Sequence, residues 1–437
     1  MRDLPKSLSG SFLTEPFSAA QAVELYLHLH RDPELSGAEE RTAARLARAL
    51  TGDGFEVASG VGGHGVVGVL RNGSGPTVML RAELDALPVR EQTALPYAST
   101  ATALDAEGRL VPVMHACGHD LHVACAAGAA TVLAQRRDRW RGTLMVVGQP
   151  AEETLTGAAA MLEDGLYERF APGPPDAVLA QHSAPLPAGM TAHPTGAATA
   201  AGAALRVVVH GRGGHAATPH LAIDPVRVAA AIVLRLATVA DEELGTAAPA
   251  AVSVGSLHAG TSPNVIPDEA HIEATIRTLT DPHLERLLAA VHRIIAAESE
   301  AAGCPEPPAV TLLSRTPANH PDPTLAAAII RAHRHLLGTE RVALWPPTLA
   351  TEDFPLFGPP GAATGLHKSP ATRTAYWMFG TIGPTQWHQT PGHTAAEKLA
   401  TLAPNHSPKY QPDPGPAIPA GIRTLASAAL AAGLAEP

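Results

Sequence analysis

Nine residues at 114–122, MHACGHDLH, set Cys117 among His115, His119 and His122, with Asp120 between them. Cys117 and His119 are one residue apart, and a thiolate with an imidazole is a donor pair suited to Zn²⁺ or another borderline metal. Alone, a CxH pair is weak evidence, because one loop cannot fill a coordination shell. Two further candidates follow: Glu152 and Glu153 in GQPAEE, and His182 in QHSAP. Adjacent glutamates can divide two roles, one carboxylate binding a metal while its neighbour carries the proton of an activated water. A competing reading makes Cys117 a thiol nucleophile with His119 as its base. It needs an orienting third group and gives the glutamates no task.

The elements that must position these residues follow from periodicity. AQAVELYLHLH and AEERTAARLARAL predict helices on either side of the turn RDPELSG, and HGVVGVL and PTVMLRAELDALP predict strands. HVACAAGAATVLAQRR predicts a small-residue helix suited to close packing, and GTLMVVGQPAEE and DAVLAQHSAP predict buried strands. Three apolar runs therefore finish in RAELD, QPAEE and QHSAP, so carboxylates and a histidine gather where strands end. In open α/β sheets, loops at that edge converge on one crevice.

From about residue 200 the order becomes LRVVVHG, DPVRVAAAIVLRLATV, AAVSVGSLHAG, HIEATIRTL, HLERLLAAVHRIIAAES and AVTLLSR. That is β-α-β-β-α-β, the ferredoxin-like arrangement, a unit that can be inserted into a larger domain. We expect an α/β protein whose discontinuous main domain spans 1–193 and 316–437, with a mostly parallel sheet flanked by helices, and whose inserted domain spans 194–315. A Pro-rich stretch, HSPKYQPDPGPAIP, precedes a final apolar helix, AGIRTLASAALAAG.

Composition excludes several classes. The 437 residues are 45% hydrophobic, ample for a sizeable core. A formal charge of −10 without a Lys/Arg run argues against nucleic acid as a partner. Three cysteines, Cys117, Cys125 and Cys304, are too scattered for a disulfide framework. MRDLPKSLSGSFLTEPF lacks a signal-peptide h-region, and VRVAAAIVLRLATVA is broken by arginines, so no membrane span is expected. The expectation is a soluble, cytoplasmic protein with no membrane partner.

The motifs LHLHRDPELSGAEERTA, LRAELDALPVRE, MHACGHDLH, GQPAEE, GRGGHAATPH, SPNVIPDEA with TIRT, TEDF and NHSPKY occur in this order from near residue 28 to near 410. In this the chain resembles the metallo-amidohydrolases that include hippurate hydrolase, the indole-acetyl-amino-acid hydrolases and bacterial N-acyl-amino-acid amidohydrolases, relatives of aminoacylase and the carboxypeptidase G type enzymes. The resemblance implies two divalent metal ions, Zn²⁺ or Mn²⁺ ahead of Co²⁺ or Ni²⁺, held by Cys117, His119, Glu153, His182 and His406, with Cys117 shared. It implies Glu152 as general base and then acid, with Asp85 and Asp120 supporting the ligands. The inserted domain becomes a lid and dimer interface, with His215 polarising the substrate carbonyl and Asn264 and Arg277 contacting the substrate amide and carboxylate. The implied reaction is hydrolysis of an N-acyl amino acid. Alternatives are a dipeptidase, a carbamoyl or amidine hydrolase, or a metal-binding relative without activity. The chain departs from the family in carrying Glu83 where aspartate is usual and, in TEDF, Thr351 where glycine precedes the glutamate. Tyr376 and Trp377 in HKSPATRTAYWMFG are candidates for an aromatic acyl pocket, or for core packing.

Overall fold

The computed structural model describes residues 11–170 and 173–434. The reading of the N-terminal segment as no signal peptide falls mostly on residues 1–10, outside those described. The chain divides into two units. One takes in the described residues up to Ala198, with His320–Pro346 and the chain from Asp353 onward; the other is Thr199–Asn319 with Pro347–Glu352.

The first unit is built on an eight-stranded sheet. Its centre is four parallel strands, β1 (Thr77–Glu83), β2 (Gly142–Gln149), β3 (Ala177–Pro187) and β4 (Arg373–Ile382), in the order β2-β1-β3-β4. Glu56–Val61 and Gly65–Asn72 extend it beyond β2, and Thr191–Pro194 and Val342–Trp345 beyond β4. β1 and β2 are buried at every residue, because both faces of a parallel sheet are covered, and so they read as continuous apolar runs. Val78 and Leu80 enter one hydrophobic cluster while Met79 enters the other, as two-residue alternation requires.

The helix α1 (His119–Ala134) lies in the first of these clusters, buried at nearly every position. Its small residues let the C-terminal helix α2 (Pro414–Ala431) come close: a Cβ on Gly128 would lie 2.3 Å from the Ile422 Cδ1. The C-terminal helix starts earlier than expected, inside the Pro-rich stretch. Pro414 fills its first turn, where no backbone N–H is needed, and Asp413 caps the Gly415 N–H at 3.1 Å.

The second unit runs strand Ala201–His210, helix Pro225–Leu236, strands Ala250–Ala259 and Glu269–Thr278, helix Asp281–Ala301 and strand Ala309–Thr316. Its antiparallel sheet has Ala201–His210 and Glu269–Thr278 in the middle, flanked by the other two. This is a ferredoxin-like β-α-β-β-α-β unit. Asp224 and Thr280 cap its two helices ahead of a proline in the first turn, which fixes where each begins. Among the described residues, no helix is long and apolar enough to cross a membrane.

Candidate active site

Four segments of the first unit converge. The turn before α1 carries Cys117 and His119, separated by Gly118 at φ +81, a left-handed conformation that suits glycine. After β2 the chain folds sharply through Ala151 (φ 52) and Leu155 (φ 57), with the buried Glu152 and the part-buried Glu153 between them. The Glu39 carboxylate fixes this turn by accepting from the Ala151 N–H at 2.8 Å, and Asp85 by accepting from the Glu153 N–H at 2.9 Å. His182 does not end its strand as the sequence suggested, since β3 continues to Pro187. The β1–β3 ladder ends at Ala180, however, so His182 lies where those strands part and a crevice can open. His406 follows a loop and sits at φ 68, held by its N–H to the Ala116 carbonyl at 2.8 Å.

The candidate ligand atoms are close-set. Cys117 Sγ is 3.4 Å from His182 Nε2, and Glu153 Oε1 is 3.5 Å from His406 Nε2 and 3.9 Å from His119 Nε2. Donors bound to one tetrahedral ion at ~2.0–2.3 Å stand roughly 3.3–3.8 Å apart, so these spacings fit. Of five close-set groups among the described residues that could hold an ion, two contain the cysteine: Cys117 with His119 and His182, and Cys117 with Glu153 and His406. They share the Cys117 sulfur. His119 Nε2 is buried and makes no hydrogen bond, a cost that a bound cation would remove. Glu152 Oε2 lies 3.8 Å from the same nitrogen.

The electrostatics suit a cation. Burial, together with the Glu153, Glu152 and Glu83 carboxylates, pushes the Cys117 thiol well above its ordinary pKa. A cation at the sulfur would favour the thiolate, the form that binds metal. Burial lowers the pKa of His119, but the Asp85 hydrogen bond and the neighbouring carboxylates outweigh it and raise it to about 10. His182 is lowered to about 3 by burial and by the nearby His122. Its neutral ring keeps Nδ1 on the Ser183 carbonyl at 2.9 Å and turns Nε2 toward Cys117.

Asp85 supports a candidate ligand directly: the His119 Nδ1 donates to its backbone carbonyl at 2.9 Å and faces its carboxylate at 3.2 Å. Asp120 reaches no ligand. It accepts from His30 Nδ1 at 2.7 Å, a pairing that sequence reasoning missed. Glu83 pairs with the buried Arg81 and accepts from His122 Nδ1 at 2.6 Å, with a carboxylate oxygen within 4.8 Å of a His119 ring nitrogen. With the Ser183 N–H on its other nitrogen at 2.8 Å, His122 has no lone pair left for a metal. Arg81 also bonds Asp353, which accepts from Gln149 and the Ala158 N–H, so the aspartate of TEDF is a structural group. Tyr376 and Trp377 are 3% and 0% exposed and belong to the core, Tyr376 against Phe354 and Trp377 against His193 and His333.

In the second unit, the strand Gly214–His215 pairs with Val265–Ile266, which brings His215 beside Asn264. The His215 Nδ1 accepts from the Ala217 N–H at 3.0 Å, leaving Nε2 as the outward nitrogen. Asn264 Oδ1 accepts from the Ser262 hydroxyl at 2.7 Å. Arg277 lies on another strand, its guanidinium on the Leu349 carbonyl at 3.0 Å.

With fold and site in view, the class is a two-unit α/β protein with a cysteine-, histidine- and carboxylate-lined centre. The chain belongs to Peptidase family M20/M25/M40, which matches residues 79–403. It is 32% identical over 401 residues to thermostable carboxypeptidase 1 of Saccharolobus solfataricus, with 89% of each chain covered. It is 32% identical over 375 residues to the N-acetyl-L-cysteine deacetylase of Bacillus subtilis, covering 84% of this chain and 82% of that one. Among solved structures, the YXEP protein of Bacillus subtilis, described as a dinuclear metal-binding peptidase of the M20 family, matches with a TM-score of 0.70 at 26% identity, over 94% of this chain and 97% of that one.

Proposed function

We propose that this protein hydrolyses the amide bond of N-acyl amino acids or close analogues, with two divalent metal ions held by Cys117, His119, Glu153, His182 and His406. The observation that carries the reading is that two ligand groups share the Cys117 sulfur, with the Glu152 carboxylate beside them. Bound there, the metals would supply Lewis acidity toward a water and a carbonyl oxygen. The chain's own groups do the rest. Glu152 accepts the proton of the attacking water on its carboxylate and returns it to the nitrogen of the departing amine. Asp85 keeps the His119 proton on Nδ1, and the Ser183 carbonyl does the same for His182, so both rings present Nε2.

His215 serves as the hydrogen-bond donor to the developing oxyanion, and Asn264 and Arg277 bind the substrate amide and carboxylate. The pairing of His215 with Asn264 supports a shared task for those two. Zn²⁺ or Mn²⁺ fits the mixed sulfur, nitrogen and oxygen donors, with Co²⁺ and Ni²⁺ as alternatives. We place the protein in the cytoplasm as a homodimer formed through the inserted unit, whose strand Ala250–Ala259 lies at a sheet edge open to pairing.

The test is release of free amino acid from N-acetyl, N-benzoyl and long-chain acyl amino acids and from dipeptides. Glu152→Gln should lose about 10²–10⁴-fold in kcat with its metals retained. Undiminished activity in that variant would remove Glu152 from the mechanism. A second reading, cleavage of a C-terminal residue from peptides, is favoured by the 32% identity to the Saccharolobus carboxypeptidase. Faster turnover of the peptides than of the acyl amino acids would select it.

A further inference from the structure

We propose that Asn405 is a positioning residue of this centre: through Ser183 and the Cys117 carbonyl, it sets the spacing of three ligand-bearing segments. The inference rests on the ligand set proposed above but concerns a side chain outside it.

The Asn405 amide nitrogen donates to the Cys117 carbonyl at 3.0 Å and lies 3.3 Å from both the carbonyl and the hydroxyl oxygen of Ser183. The Ser183 hydroxyl itself donates to the Cys117 carbonyl at 2.8 Å. Asn405 immediately precedes His406, Ser183 immediately follows His182, and the shared acceptor belongs to Cys117. One side-chain amide thus joins the backbones that carry three of the five proposed ligands. An amide offers two N–H donors and here faces three oxygens, so its direction is fixed: nitrogen inward.

Ser183 is the hub of a longer chain of bonds. Its N–H donates to His122 Nε2, and its carbonyl accepts from His182 Nδ1. His122 in turn donates to Glu83, which is paired with the buried Arg81. Asn405 therefore connects the last ligand segment to an ionic network anchored in the sheet. The hub has no slack, since a Cβ on Gly118 would come within 2.5 Å of the Ser183 hydroxyl.

His406 shows why such an anchor matters. Its side chain is 56% exposed, so packing does not hold the ring. Its backbone sits in the left-handed region, which a histidine leaves unless neighbours hold it there. Two bonds do so, the His406 N–H to Ala116 and the Asn405 amide to Cys117.

The experiment is Zn²⁺ affinity by competition with a fluorescent chelator for wild type, Asn405→Ala and Asn405→Asp, with unfolding midpoints of the metal-free proteins alongside. Wild type should take up two ions per chain. Asn405→Ala should bind about 10–100-fold more weakly, as loss of a group that orients metal ligands does. Asn405→Asp keeps the shape but offers only acceptors to three oxygens, and should bind at least as weakly. Metal-free midpoints should stay near that of wild type. Wild-type affinity in Asn405→Asp would overturn the inference, as would a fall in metal-free stability as large as the loss in affinity in both variants. A wild type that takes up no Zn²⁺ refutes the ligand set and this inference with it. Normal uptake with undisturbed variants refutes this inference alone.

Discussion

Replacing His30 by glutamine should remove a buried cation that two carboxylates share. His30 Nδ1 is 2.7 Å from Asp120 Oδ2 and its Nε2 is 3.2 Å from Glu91 Oε1, and none of the three side chains is more than 1% exposed. Glu91 also accepts from the Ser99 N–H at 2.6 Å, while the Tyr26 and Tyr97 rings pack against the imidazole at 5.4 and 5.3 Å. Burial lowers the pKa of His30, but the two carboxylates outweigh it and hold it at about 9. The folded-state pKa is thus above the ordinary value of 6.5, and the proton stabilises the fold. That stabilisation is complete below about pH 6.5 and is lost as pH rises through about 9. At about 1.4 kcal/mol per pH unit, the gap amounts to about 3 kcal/mol.

His30→Gln leaves Asp120 and Glu91 buried without their cation, which should cost about 3–5 kcal/mol near pH 6. Toward pH 10 the wild type loses the same proton, and the difference should shrink by about 3 kcal/mol. The assay is denaturant unfolding of metal-free wild type and variant at pH 6, 7.5 and 9.5. Only the difference between the two matters, because titrations common to both cancel. A difference that stays constant across this range would mean that His30 is neutral in the folded protein.

Two shorter predictions bear on the loops that carry the proposed ligands. Asp85→Ala removes the carboxylate that faces His119 Nδ1 and accepts from the Glu153 N–H, so metal affinity should fall about 10–100-fold in a chelator titration; unchanged affinity would show that the backbone carbonyl alone orients His119. Gly118→Ala places a side chain at φ +81 with its Cβ 2.5 Å from the Ser183 hydroxyl, and should destabilise the protein by about 1–3 kcal/mol in equilibrium unfolding. A smaller cost would mean that the Cys117 turn can shift.

The legible parts of this site are those where residue type carries chemistry. Glu152, Glu153 and His182 stand out because paired carboxylates and an imidazole follow apolar runs, which buried strands leave unbroken, and Cys117 and His119 because sulfur and imidazole sit one residue apart before a helix. His406 has no such signal: it follows Asn405 in an irregular loop, far along the chain from the other candidates, and only resemblance to a family offered it. The groups around the ligands were harder still. Ser183 and Asn405 act on main-chain carbonyls, which every residue possesses, so no spacing announces them. The sequence leaves Tyr376 and Trp377 open to two readings, an aromatic acyl pocket or core packing. Aromatic residues late in a strand suggest a pocket, yet both lie on β4, whose two faces are covered, and burial claims them.

One consequence of the burial pattern concerns the first turn of α1. Successive helical residues point about 100° apart, so His119, Asp120 and His122 leave the axis in three directions. Each meets a different buried partner: Asp85 holds His119, His30 holds Asp120 and Glu83 holds His122. Three bonds spread around one turn fix its rotation as well as its position, which a single contact cannot do. Desolvation offsets much of the Coulomb gain in buried ion pairs, so these bonds contribute to placement more than to net stability. Of the six ring nitrogens and carboxylate oxygens on that turn, five are taken up by Asp85, His30, the Leu121 N–H, Glu83 and the Ser183 N–H, in that order around the three side chains. The sixth is His119 Nε2, and it faces Glu152 and Glu153.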